Sequence, residues 1–166
     1  MVVACGLSTY SLSLFHLINH AFFKALLFLS AGAVIHALAD QQDMRRMGGL
    51  VLLLPKTYSL ILLGSLSLMA FPFLTGFYSK DYLLEMALVP RNATTTIAYI
   101  LALVAAILTA TYSARLMIMT FLSAPHFPHT VLETIVDPPK VMLFPLFLLG
   151  AGAAFFGFLS HELFLG

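Results

Sequence analysis

Three basic, titratable side chains stand four residues apart in a stretch that is otherwise almost wholly apolar. In "SLFHLINHAFFKALLFLSAGAVIH", residues 13–36, they are His16, His20 and Lys24. An α-helix advances ~100° and ~1.5 Å per residue, so the three fall within a stripe of ~80° running ~12 Å along the axis. A lysine at the centre of a membrane span costs about 2.5–3.5 kcal/mol even on lenient insertion scales, and it usually faces a bundle interior or a wet cavity. Snorkelling relieves that cost only near helix ends, and Lys24 lies about two turns or more from both. Burial disfavours the charged form of an amine and a nearby carboxylate favours it. An amine held between those pressures can gain and lose a proton, as histidine does unaided near neutral pH. Neighbouring groups ~6 Å apart along the stripe are too far for one hydrogen bond but can be joined through ordered water. A proton relay is the chemistry that suits this pattern. Two alternatives stand beside it. Each polar group can simply bond a neighbouring helix, or His16 and His20, an i, i+4 pair, can begin a metal site. The metal reading has no third local ligand and no glutamate after His16 as in a metalloprotease helix.

A second stretch poses the same question. In "MAFPFLTGFYSKDYLLE", residues 69–85, Pro72 cannot donate to the carbonyl of Leu68, and its ring crowds that turn. Gly76 reads as a further loosening of the backbone. A broken helix at membrane depth is tolerated only inside protein or beside water, and transporters use such breaks to aim half-helix ends at ions. Lys80 and Asp81 follow the break. With a second half-helix starting near 75–77, both sit in its early turns, where the positive helix end favours Asp81 as an anion and disfavours Lys80 as a cation. The alternative is a packing kink at Pro72 with Lys80 and Asp81 heading for the lipid edge.

Positioning these groups requires membrane spans. Of 166 residues 61% are apolar and only 9% charged, whereas soluble domains run at about a quarter charged. Unbroken apolar runs of this length satisfy their backbone as helices, and no alternating barrel pattern is present. The fold class is therefore all-α and polytopic. Four spans are expected, at 11–38, 58–88 (broken), 95–122 and 141–159, with residues 1–6 as the tail of a further helix. The single cysteine, Cys5, excludes an internal disulfide and any cysteine-built cluster, so redox carriers have no ligands here. A net charge of +1 points to no nucleic acid.

Lysine and arginine near the span ends set orientation. With four spans the first and third linkers share a side, which holds Arg45, Arg46, Lys56, Arg115 and Lys140. The opposite side holds Arg91. The first and third linkers thus face the cytoplasm, or the matrix in a mitochondrial inner membrane. Asp40, Asp43, Arg45 and Arg46 read as a solvated loop. His36, Arg115, His161 and Glu162 read as interfacial or wet groups, and Glu85 as a companion of Asp81 one turn on or another interfacial group.

"HLINHAFFKALLFLSAGAVIH", followed by "QQDMRRMGGL" and "PFLTGFYSKD", resembles the antiporter-like membrane-arm subunits of proton-translocating NADH:ubiquinone oxidoreductase, respiratory complex I, of the mitochondrially encoded chain 5 type. The likeness is strong through Asp81 and thins to hydropathy after Arg91. Sodium/proton antiporter subunits share the pattern more loosely. The resemblance implies that His16, His20 and Lys24 are relay groups of one helix on a hydrated axis. It implies that Lys80, with Asp81, is the group at the broken helix through which the proton leaves. The "QQDMRRMGGL" loop would lie in the matrix. The implied partners are other membrane-arm subunits, among them the remainder of chain 5 and chain 4, and the lipid bilayer. NADH, FMN, iron–sulfur clusters and ubiquinone would belong to other subunits, with no cofactor in this chain. Chains of this type carry an earlier repeat with its own broken helix and a long lateral helix. The present sequence is therefore expected to be a C-terminal-side portion. Ala70 stands where that family usually has glycine.

Overall fold

In a computed structural model the chain is described over residues 1–89, 92–126 and 135–165. A five-residue helix, α1 (Val2–Gly6), turns at Ser8, whose φ is +58°, into the long α2 (Tyr10–Ala37). Two fourteen-residue helices follow, α3 (Pro55–Leu68) and α4 (Thr75–Leu88). The next helix, α5 (Ala93–Met117), ends in a wide π turn over Ile118–Leu122. The last span is α6 (Lys140–Ala151), a second π turn over Gly152–Phe156, and α7 (Gly157–Leu165).

Among the described residues, three helical stretches are long and apolar enough to cross a membrane by themselves: Tyr10–Ala37, Ala93–Leu122 and Lys140–Phe164. The stretch expected as a broken span, 58–88, is the pair α3 and α4. Each is ~21 Å long, short of the ~30 Å of hydrocarbon, so neither half crosses alone. Between them Ala70 and Phe73 take positive φ of +62° and +70°. The helix is interrupted there and resumes along α2 in the same direction, from Gly64 against Leu26 and Leu27 to Ser79 against His16, with Pro72 exposed at the break.

Helix α2 is the hub, with α3, α4 and the last span packed around it. Lipid is as apolar as leucine, so helices here associate through close packing and polar contacts rather than hydrophobic exclusion. Small residues provide the closeness: Gly64 sits under Leu27, and Gly150 under Leu60. Phe23, Leu26, Leu60, Leu143 and Leu146 fill the resulting core. Helix α5 differs, burying only Ser113 and Met117.

The first linker is not a solvated loop throughout. Asp40, Asp43, Arg45 and Arg46 are exposed, but Met47, Leu50 and Leu54 tuck under the bundle against Phe121 and Ile135. The two same-side linkers meet. His126 Nδ1 lies 2.8 Å from the Met47 carbonyl. Asp137 takes the free amides of Lys56 and Thr57 at the start of α3, each at 3.4 Å, a capping role a carboxylate suits. Asn92, part of a glycosylation-like Asn-Ala-Thr, forms a reciprocal cap with Thr95 at the start of α5. Arg91, used above for orientation, lies outside the described residues.

Candidate functional site

The break between α3 and α4 gathers several buried hydroxyls. Ser67, in the last turn of α3, accepts the Gly76 amide at 3.2 Å and donates to the Ala153 carbonyl at 3.4 Å. Thr75, first residue of α4, donates to the Gly152 carbonyl and accepts the Gly157 amide, both at 3.0 Å. Both hydroxyl residues are fully buried. The sequence suggests that Gly76 loosens the break, and the structure corrects this. Gly76 lies in the first turn of α4, and a Cβ there would land on the Ser67 carbonyl oxygen. Close approach, not flexibility, excludes a side chain.

This arrangement holds α4 alongside α2 and brings Lys80 to a cavity of about 320 Å³ shared with His16 and His20. Ser67, Leu68, Gly76 and Leu83 form part of the wall, and α5 closes it with Ala102, Ala105, Ala106 and Thr109. His16 Nδ1 is 3.0 Å from the hydroxyl of Ser79, the residue before Lys80. The His16 and His20 rings are 6.0 Å apart between centroids, beyond direct bonding and within reach of one bridging water.

Lys24 opens elsewhere. It lines a second cavity of about 180 Å³ with Ser65, Leu68, Tyr112 and Ser113, and its Nζ lies 5.5 Å from the centre of the Phe28 ring. Eight residues along α2 from His16 it has drifted ~80° around the axis, far enough to face α3 and α5 instead of α4. Leu68 belongs to both walls and separates the two spaces. A third cavity of about 120 Å³ continues from the second past Ala31, Ile61 and Leu116 to Gln42 and Thr120 near the first linker. Asp81 is half-buried and points ~100° away from Lys80, so it does not line the Lys80 cavity. Glu85 is exposed. Among the described residues no three histidine, cysteine, aspartate or glutamate side chains gather as metal ligands.

Sequence reasoning passed over Ser67, Thr75 and Ser79, the hydroxyls that tie the break together. It also passed over Asn19, whose amide is wholly buried with neither polar atom bonded. Each carries a signal in hindsight: hydroxyls flanking a Pro-containing break, and an asparagine beside two histidines inside a span.

Titratable groups around a broken helix, inside an all-helical bundle with several membrane-long helices, define a multi-pass membrane protein of the antiporter-like class. Comparison with known proteins then places it. Residues 1–109 match the transmembrane family described as NADH:quinone oxidoreductase/Mrp antiporter, and the chain belongs to that family. It is 52% identical over 166 residues to NADH-ubiquinone oxidoreductase chain 5 of Cryptococcus neoformans var. grubii, covering 100% of this chain and 25% of that one. The chain 5 proteins of Marchantia polymorpha and Metridium senile are 52% and 55% identical, over 100% and 98% of this chain and 25% and 27% of theirs. The chain spans about a quarter of the length of these relatives.

Proposed function

We propose that this chain is part of a proton-translocating membrane-arm subunit of NADH:ubiquinone oxidoreductase. In this reading it relays protons through His16, His20, Lys24 and Lys80, with Asp81 beside the last, and through water. The observation that carries the reading is the sharing of one cavity by Lys80, His16 and His20 at a break between two half-helices. The names of the relatives support the choice of complex.

Proton transfer here needs no covalent chemistry. A neutral amine at Lys80 takes a proton from the histidine side of its cavity and surrenders it toward the opposite face. It then returns to its starting form. Each proton moved against the membrane potential takes about 2.3 kcal/mol per 100 mV, which electron transfer elsewhere in the complex supplies. NADH, FMN, iron–sulfur clusters and ubiquinone belong to other subunits in this reading. Its partners are the rest of chain 5, chain 4 and further membrane-arm subunits. The setting is a mitochondrial inner membrane with the first and third linkers toward the matrix.

The family's antiporter branch supplies a second reading, a sodium/proton antiporter subunit. Imidazole and amine nitrogens suit protons, whereas sodium wants oxygen ligands, so the cavity chemistry favours the first. Sodium-dependent pH changes in vesicles would favour the second. A third possibility is a segment that completes the bundle without conducting.

The test is Lys80→Met in the full-length chain within its assembled complex, with Lys24→Met beside it. The expected result is intact assembly with proton pumping lost or sharply reduced. Normal pumping in a fully assembled Lys80→Met complex would remove the relay assignment and leave the structural role.

A further inference from the structure

The exposed turn at 69–74 does not by itself fix where α4 sits. Phe71, Pro72 and Phe73 are all exposed, and two of its residues hold positive φ. A hydrogen-bonded anchor lies at the first residue of α4. The Thr75 hydroxyl bridges the Gly152 carbonyl and the Gly157 amide, 3.0 Å from each. Those two backbone groups are five residues apart, facing one another across the π turn of the last span. A side chain inserted into a helical ladder is one of the few causes of a helix kink, and π turns recur at functional sites. The neighbouring carbonyl, Ala153, accepts from Ser67. Gly157 lets the two backbones close up, since a Cβ there would come within 2.6 Å of the Thr75 Cα. One threonine hydroxyl thus serves two backbone groups of another helix.

We propose that Thr75 is a positioning residue for Lys80. Bonded into the π turn of the last span, it sets the depth and tilt of α4, so that Lys80, ~7.5 Å further along a rigid helix, opens on the cavity of His16 and His20. The proposal rests on the relay reading of Lys80. It gives the π turn a purpose: Thr75 and Ser67 bond the turn's backbone groups, and the last span serves as the fixed post against which the half-helix is braced.

The experiment places Thr75→Val, Thr75→Ser and Thr75→Cys in the full-length chain within its assembled complex, with Lys80→Met in parallel. Proton pumping per NADH oxidised and its pH profile are the readouts. Valine keeps the shape and removes both bonds. Pumping is expected to fall roughly threefold or more, in keeping with the cost of misplacing a reacting group by about an ångström, and the pH profile to be displaced. Serine restores both, which a purely space-filling role would not predict. Should the valine variant fail to assemble, the cysteine variant decides: its weakly bonding thiol must pump less than serine. Equal pumping by valine and serine, or by cysteine and serine where valine does not assemble, overturns the proposal. Lys80→Met separates the two ideas. If it abolishes pumping while Thr75→Val pumps normally, only the positioning role fails. If Lys80→Met pumps normally, the relay reading fails and takes this one with it.

Discussion

Two polar clusters lie inside this bundle, and they are built on opposite principles. At the α3–α4 break, Ser67 and Thr75 use their hydroxyls both as donors and as acceptors, on the Gly76 amide and the backbone of the π turn. Along the α2 stripe and across from it at Lys80 of α4, His16 has one side-chain partner in Ser79, while His20, Lys24 and Lys80 open on cavities. A fully satisfied buried network stiffens a structure, and a partly satisfied one is costly unless water completes it. The first cluster is a joint. The second leaves basic groups facing cavities, and in the relay we propose these are the groups that exchange protons.

That contrast is open to attack by substitution, and the largest effect is expected at the joint. Gly76→Ala drives a methyl into the Ser67 carbonyl oxygen, the kind of core clash that reaches about 4 kcal/mol or more. Loss of the assembled complex on native gels is the expected outcome, and normal assembly would show the break to be softer than described. Ser67→Ala comes next. It strands the Gly76 amide and the Ala153 carbonyl, at about 1–3 kcal/mol for buried groups left unmade. A lowered thermal midpoint of the assembled complex checks it. Ser79→Ala is expected to be the mildest for stability, within about 1 kcal/mol for one interhelical bond in a membrane. It should nevertheless change the pumping rate, because it removes the partner of His16. A stability loss at Ser79 as large as that at Ser67 would erase the distinction between joint and seam.

The spacing of His16 and His20 was enough to place them on one face, and the Pro72 break was enough to place Lys80 at a half-helix start. These depend on helical period and backbone chemistry, which are local. Lys24 shows where local reasoning stops. An ~80° stripe looks continuous on one helix, but Leu68 of α3 protrudes between the spaces that its two ends face. Gly76 shows the same limit, since the sequence cannot tell a loosening glycine from one crowded by a neighbouring carbonyl. The π turn at Gly152–Phe156 is bonded by a threonine some eighty residues earlier, and no period within the last span reveals that partner.

In the relay proposed for this chain, water joins groups which the protein holds too far apart to touch. The most direct measurement is an experimental structure of the full-length chain in its assembled complex, at a resolution that places ordered water around Lys80, His16, His20 and Lys24. Waters bonded to Lys80 and both histidines in the shared cavity, with further waters at Lys24 beyond Leu68, are the expected result. Acyl chains filling those cavities, with Lys24 and Lys80 turned toward lipid, would contradict it.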